Sequence, residues 1–455
     1  MGEAGLRSAI PRPRGTVNEK ERAAEITWPA TPPRATSSFS VARPIPAIVP
    51  VINTFHEGAV AGCFRVIPIL TTAPMPEHQK SISVAVDARY IRERPSGIGV
   101  YVQALVDRLP TSAPLDRFLF WAHRLAPRPL SHASNTSDVI VRPGPSSPLT
   151  LFWPRRYASF SDVDVFHSPH NVLPRKIPCA SVVTIHDVMS IEHPGLHLPR
   201  IERAFKSKYY QQAVWRALSD ATCLITPTKA TADRICALAP DAAKRVSVIW
   251  EAPDTCFEPP NDLETARKEM ARLIGDESPY LLLVGVNIPT KRHDLAIAAF
   301  ARTVPRPWRL VLLQSRRSRD ELVRLASRLQ VADRLVWLEA VSRENVVKLI
   351  QCAGALVQPS NYEGFGLPVV EAMASGCPVV ASDIPAFREI TGGAALLVPP
   401  DNVDRLATAL RDLVKSPELR RSLSEQGLSR SRDFSWDQCT RETLDVYHDA
   451  ASRKR

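Results

Sequence analysis

The segment Pro359-Ser360-Asn361-Tyr362-Glu363-Gly364-Phe365-Gly366-Leu367-Pro368-Val369-Val370-Glu371-Ala372-Met373 orders its acids, glycines and proline in a way that suits a phosphate- and hydroxyl-bearing ligand. Glu363 falls in the loop at the carboxyl end of a predicted strand. Gly364 and Gly366 let the backbone approach a ligand closely. Pro368 fits the first turn of a following helix, where free N–H groups and the dipole favour a phosphate. Glu371 lies one turn further in, and its carboxylate can accept hydrogen bonds from a ribose diol. On spacing alone, a strand-loop-helix with solvated acids remains the alternative.

Other residues offer chemistry of the same kind, each beside a plainer reading. Lys291 can neutralise a phosphate or form a solvated pair with Arg292. His186, beside Asp187, ends a predicted strand and can meet a polar ligand or hold a buried turn. Gly97-Ile98-Gly99 permits close backbone approach, but without a third glycine it also reads as simple turn geometry. His167 and His170 flank Pro169 on one loop, where acceptor contacts and structural roles are both open. Asp162-Val163-Asp164 is a D-x-D, a metal-binding pattern, yet it sits at a strand entrance, away from the carboxyl ends where ligands of such sheets bind. No set of His, Cys and carboxylates has zinc spacing. Neither a metal nor a cofactor is expected.

The scaffold that must position these groups begins at Ile82. From there, short apolar runs alternate with helical periodicity, the pattern of parallel sheets with crossover helices. Strands are predicted at 82–86, 118–121, 139–141, 165–167, 181–185, 222–226 and 246–249. Gly97 and Gly99 are placed in the loop before a helix that buries Val102, Leu105, Val106 and Leu109, spaced i, i+3, i+4, i+7. After a Pro-rich, acidic linker from Glu251 to Leu263 the pattern restarts, with strands at 280–284, 310–313, 335–338, 355–358, 379–382 and 395–398. A late helix is predicted from Ser416-Pro417-Glu418 to near Gly427. The expectation is an α/β fold of two doubly wound, Rossmann-like domains facing a cleft. They divide at 80–252 and 253–455, the second carrying the C-terminal helices. Residues 1–79 read as a disordered Pro-rich extension, with Met75 open as an alternative start.

Composition narrows the class. The chain has 455 residues, 44% hydrophobic and 23% charged, which is ordinary for a globular protein. Its formal net charge of +11 suits phosphate-bearing ligands or an anionic surface. No interleaved basic and aromatic motif argues for nucleic acid. No apolar run approaches the ~20 residues that span a bilayer. The eight cysteines form no C-x-x-C pair and read as reduced thiols in a cytosolic protein.

The order E-G-F-G-L-P-x-x-E-A-M resembles the E-x7-E segment of family 4 of the retaining glycosyltransferases, which have the two-domain GT-B architecture. The resemblance extends over most of the chain beyond residue 81. Val86-Asp87-Ala88-Arg89 with Ser96-Gly97-Ile98-Gly99, the stretch Asp164 to His170, and Val183-Thr184-Ile185-His186-Asp187 resemble signatures of the family's first domain. Val284-Gly285 with Lys291 is similar to its G-x5-K, and Gly376 to Ser382 with Glu389 and Gly392-Gly393 completes the set. The first-domain signatures are most like bacterial surface-polysaccharide mannosyl- or rhamnosyltransferases.

The resemblance implies transfer of a sugar, mannose or a similar hexose favoured, from a nucleotide-diphosphate donor with retained configuration and no metal. Glu371 would hold the donor ribose and Glu363 the hydroxyls of the transferred sugar. Lys291, with N–H groups of Gly366 and Leu367, would neutralise the leaving diphosphate. Gly364 would line the donor site, Gly97 and Gly99 would lie across the cleft, and His186 would meet the donor sugar. His170 is the candidate acceptor contact. Departures from the family are Thr290 before Lys291, Gln314-Ser315 followed by Arg316, Arg317 and Arg319 in place of a glycine, and Ile249 to Asp254 in place of Pro-Asn-Gly. Arg316 is therefore a candidate diphosphate contact. A lipid-linked or oligosaccharide acceptor at the inner face of the cell membrane is expected. The basic and aromatic stretch from Arg200 to Arg216 is open to anionic headgroups or to an ordinary solvated role. A catalytically inactive nucleotide-sugar-binding subunit and a GT-B nucleotide-sugar epimerase are the rival readings.

Overall fold

The computed structural model describes residues 80–93, 96–194, 203–314 and 319–454. The expected N-terminal extension lies outside them. Two parallel sheets form the framework. The first has seven strands: β1 Ser83–Val86, β2 Arg117–Ala122, β3 Thr136–Ile140, β4 Val165–Ser168, β5 Ala180–Thr184, β6 Cys223–Thr226 and β7 Val246–Val248, in the order β3-β2-β1-β4-β5-β6-β7. The second has six: β8 Tyr280–Val284, β9 Arg309–Leu313, β10 Leu335–Leu338, β11 Ala355–Gln358, β12 Val379–Ser382 and β13 Leu396–Val398, in the order β10-β9-β8-β11-β12-β13.

The central strands are buried on both faces. β5, β6, β11 and β12 bury every residue, which is why they read as continuous apolar runs rather than alternating ones. Strand order reverses between β1 and β4, and again between β8 and β11. Those switch points open a crevice at the strands' carboxyl ends. Lys291 follows β8 and Glu363 follows β11, so the second switch point brings together two residues 72 positions apart.

The structure corrects the sequence reading in three places. Gly97 and Gly99 lie in the first turn of the helix Gly97–Ser112, not in a loop before it, because Ser96 caps that helix through its hydroxyl to the Gly99 N–H. A Cβ on Gly99 would stand 2.9 Å from the Tyr90 carbonyl oxygen, so the helix can start there only with glycine. The late helix runs on to Ser431 as Pro417–Ser431, and Gly427 is not its end. A Cβ there would press on Met373, so Gly427 serves a close helix–helix approach. Finally, the helix Trp436–Arg453, assigned from chain order to the second domain, packs on the first. Tyr447 hydroxyl meets His167 Nδ1 at 2.7 Å, His448 meets Asp116 at 3.0 Å, and Arg108 donates to Asp437 at 3.0 Å.

Polar contacts also cross the seam nearer the crevice. Thr228 hydroxyl donates to the Gly364 carbonyl at 2.8 Å. Glu389 accepts from the backbone N–H groups of Lys229 and Ala230 at 2.8 and 3.0 Å, at the start of the helix Lys229–Leu238. A carboxylate at a helix N-terminus satisfies donors that the helix leaves unpaired. The same carboxylate takes the indole N–H of Trp250, the residue before the linker, at 3.0 Å.

Candidate active site

Lys291 and Glu363 meet at the heart of the crevice. The ammonium donates to both carboxylate oxygens, at 2.6 and 2.7 Å, and the Gln358 amide adds a longer contact of 3.3 Å to Glu363. The side chains are 21% and 10% exposed, so each charge depends on the other for compensation. The Asn361 N–H bonds to the Thr290 carbonyl at 2.9 Å and holds the two loops together. A sugar hydroxyl and a phosphate are the groups that can take over from such a pair, the hydroxyl donating to the carboxylate and the phosphate accepting from the ammonium.

The loop that carries Glu363 then touches the first domain. A Cβ on Gly364 would lie 1.9 Å from the His186 carbonyl oxygen, so the two backbones are in contact and only glycine fits. Gly366 has a φ of +117° and precedes the helix Leu367–Ala374, with Pro368 in its first turn. The Leu367 N–H has no partner within that helix. A Cβ on Gly97 would reach Leu367 at 3.8 Å. The tip of the first domain's opening helix therefore faces the start of this one, and the Gly97 and Leu367 candidates are neighbours across the seam.

His186 lies two residues beyond the end of β5 and is gripped at both nitrogens. Nδ1 lies 2.9 Å from Glu251 Oε1 and Nε2 lies 2.9 Å from the Pro169 carbonyl. Burial works to lower its pKa, but the hydrogen bond and charge of Glu251, with the Pro169 carbonyl and Asp187, raise it above the usual histidine value. His170 lies beside it, with ring centroids 6.5 Å apart and Tyr90 on its other side. Burial, reinforced by His186, pushes His170 down to about 3, so it is a neutral imidazole whose Nδ1 is buried without a partner. His167 is different. It is fully buried, with Nδ1 on Tyr447 and Nε2 on the Thr184 hydroxyl at 2.8 Å, and its role is structural.

Glu371 is as little exposed as Glu363 but has no cation as close. Burial raises its carboxyl to about 7, opposed by Arg343 and assisted by Asp254. The Arg343 guanidinium approaches it at 3.6 Å, lies over the Phe257 ring at 4.5 Å and also faces Asp254 at 3.4 Å. A cavity of about 810 Å³ opens beside Arg343, lined also by Gly99, Asp254, Thr255 and Trp436. It is roomy enough for a nucleotide-sized ligand.

The remaining sequence candidates fall elsewhere or outside the described residues. Arg316 and Arg317 lie outside the described residues, while Arg319 is held over the Trp337 ring at 4.8 Å. Asp164 stands at the entrance of β4, where its carboxylate accepts from the Ser83 N–H at 2.9 Å, at the opposite end of the sheet from the crevice. Among the described residues, no group of three or more His, Cys, Asp or Glu is placed to hold a metal ion. No described helix is long and apolar enough to cross a membrane. In the basic and aromatic stretch Arg200 is not described, Tyr209 donates to the Ser146 carbonyl at 3.0 Å, and Trp215 is exposed. Two site residues were missed from sequence, Arg343 and Glu251. Arg343 gives no local signal. Glu251 falls where the chain departs from Pro-Asn-Gly, and that departure was the available clue.

Comparison with known proteins accords with this geometry. Residues 265–430 match the family described as Glycosyl transferases group 1. O-antigen chain mannosyltransferase B of Escherichia coli is 26% identical over 373 residues, covering 77% of this chain and 96% of that protein. MMP alpha-(1->4)-mannosyltransferase of Mycolicibacterium hassiacum is 34% identical over 178 residues, 38% of this chain and 43% of that one. Among solved structures, sucrose-phosphate synthase from Thermosynechococcus elongatus superposes with a TM-score of 0.66 at 20% identity, over 82% of this chain and 100% of that one. The protein is a glycosyltransferase of GT-B architecture whose second domain carries the group 1 glycosyltransferase family.

Proposed function

We propose that the protein transfers a hexose, mannose favoured, from a nucleotide-diphosphate sugar to a hydroxyl of a lipid-linked or oligosaccharide acceptor, with retention and without a metal. The observation that carries this reading is the Lys291–Glu363 pair at the second switch point, with Gly364 pressed on His186 of the first domain. A donor entering there exchanges the internal ion pair for its own groups. Lys291 turns to the diphosphate, joined by the helix N-terminus at Gly366 and Leu367, where negative charge develops as the bond to the sugar breaks. Glu363 accepts hydroxyls of the transferred sugar. Glu371 accepts the ribose diol. His186 Nε2–H exchanges the Pro169 carbonyl for a sugar oxygen, and His170 faces the acceptor. Gly97 and Gly99 bring the first domain's helix close to the phosphates, and Arg316 adds charge to them. The acceptor oxygen then attacks from the face the diphosphate leaves, and the phosphate takes its proton.

The mannosyltransferase names of the two relatives support the sugar, and the O-antigen name supports surface polysaccharide assembly, which the proposal places at the inner face of the cell membrane. The test is incubation with a panel of labelled nucleotide sugars and polyprenyl-linked or oligosaccharide acceptors, with product configuration read by NMR. An α-linked product from an α-configured donor is expected. Inversion, or transfer from none of the donors, overturns the proposal.

A further inference from the structure

We propose that Glu251 is a positioning residue for the reaction: its carboxylate grips Nδ1 of His186, so that Nε2–H is the group offered to the transferred sugar, with the Pro169 carbonyl holding the sugar oxygen's place. This rests on the reading that the crevice binds a sugar donor.

The hydrogen-bond inventory gives the reason. A backbone carbonyl only accepts, so the 2.9 Å contact to Pro169 requires a proton on Nε2. A carboxylate also only accepts, so the 2.9 Å contact from Nδ1 to Glu251 Oε1 requires a second proton between them. The pair therefore holds one proton more than a neutral imidazole beside a carboxylate, and the raised pKa of His186 places it on the ring. When a sugar oxygen replaces the Pro169 carbonyl, only Nδ1 still holds the ring in place. Which nitrogen of a histidine acts is set by the bond the other nitrogen makes.

The surroundings leave Glu251 as the group in charge. Tyr101 meets the ring edge-on at 5.1 Å, and burial keeps its hydroxyl far above the usual tyrosine range, so it carries no charge. His170 and His167, both pushed down to about 3 by burial, are neutral. Cys439, on the last helix, is pushed up by burial and by Glu251 and stays a thiol. Asp187 adds a weaker pull from the ring's own loop. Glu251 itself is 6% exposed on its side chain and opens the linker between the domains. Its neighbour Trp250 is bonded to Glu389 of the second domain and lies under Arg430 at 5.0 Å. The last residue before the linker and the first residue of it thus fasten to opposite domains, which ties the ring's orientation to the relative position of the two sheets.

The test pairs NMR titration of the His186 imidazole with kinetics of Glu251→Gln. In the wild-type protein the ring should remain an imidazolium above the ordinary histidine pKa of about 6.5. In the variant its titration should move down to that value or lower. Turnover should fall about tenfold or more near neutral pH and recover in part toward acid, where the ring is protonated again, while affinity for the nucleoside diphosphate alone stays unchanged. A wild-type ring titrating at or below the ordinary value overturns the proposal without any variant. So does a Glu251→Gln protein with unmoved titration and unmoved turnover. Absence of transfer from every donor defeats the sugar-transfer reading instead, and the wild-type titration still decides whether Glu251 controls the ring.

Discussion

Glu363 and Glu371 sit on one short segment yet meet opposite surroundings. Glu363 has an ammonium on both of its oxygens, at 2.6 and 2.7 Å. Glu371 has only the edge of a guanidinium at 3.6 Å and is otherwise buried, which lifts its carboxyl to about 7. One charge is neutralised by a close internal partner and the other is left poorly solvated. A ligand must therefore displace a partner at Glu363 but supplies a missing one at Glu371. The first carboxylate is held ready at a cost in exchange, the second at a cost in stability.

The hardest break in this contrast is Lys291→Ala. It strands Glu363 at 10% side-chain exposure. Removing one member of a buried pair costs more than the pair contributes, and with partial exposure the loss should be roughly 2–4 kcal/mol by denaturant unfolding. Turnover should fall about a hundred- to a thousandfold, the scale of losing one group that stabilises transition-state charge. Adding Glu363→Gln should restore part of the stability and none of the turnover. Equal stability of the single and double variants shows that the pair does not carry the compensation assigned to it.

Glu371→Gln breaks the other half, more gently and with opposite signs for stability and binding. The folded pKa of Glu371 is above its unfolded value, so the stability it contributes is present below about pH 4 and is lost as pH rises through about 7. At about pH 8 the wild type therefore bears the cost of a desolvated carboxylate. The variant should be more stable there by roughly 2–3 kcal/mol, with the difference vanishing in acid. Its affinity for the nucleoside diphosphate should fall about ten- to a hundredfold, since a hydrogen bond to a charged group contributes about 1.5–3 kcal/mol. Thermal unfolding across pH and calorimetry check the two halves separately. A variant less stable than wild type in alkali means that Glu371 is better compensated than its position beside Arg343 indicates.

What sequence revealed and what it hid follows the same physical line. The strands buried on both faces were legible as short apolar runs, whereas half-buried β3, read as 139–141, runs Thr136–Ile140. Glu363, Glu371 and Lys291 were legible as residue types in a pattern. Their pairings were not, since Arg343 reaches Glu371 and Glu251 reaches His186 only through the folded chain. Gly97 and Gly99 misled because glycine usually punctuates helices, whereas here the Ser96 cap puts both inside the first turn and the Tyr90 carbonyl demands glycine at Gly99. The last helix misled for a different reason. Its buried face, with Tyr447 and Ala450, shows that it packs against something, but periodicity carries no address.

The smallest expected effect is that of a chelator. Diphosphate leaving groups need positive charge, and a glycosyltransferase supplies it either from a divalent ion or from its own groups. In this crevice Lys291 stands at the switch point, and the helix Leu367–Ala374, which begins just after its partner Glu363, is the second proposed source of positive charge. The D-x-D that invites a metal is at the other end of the first sheet, and Asp164 is engaged with the Ser83 backbone. EDTA should therefore leave transfer within about twofold of the untreated rate, well under the 1.4 kcal/mol that a factor of ten represents. Asp164→Asn should lower stability by about 1 kcal/mol through the weakened bond to Ser83 and leave the rate without metal dependence. Loss of transfer in EDTA with recovery on adding magnesium or manganese would show that Lys291 and the helix do not suffice. The contrast between the two glutamates would then have to be redrawn around an ion held near Glu363.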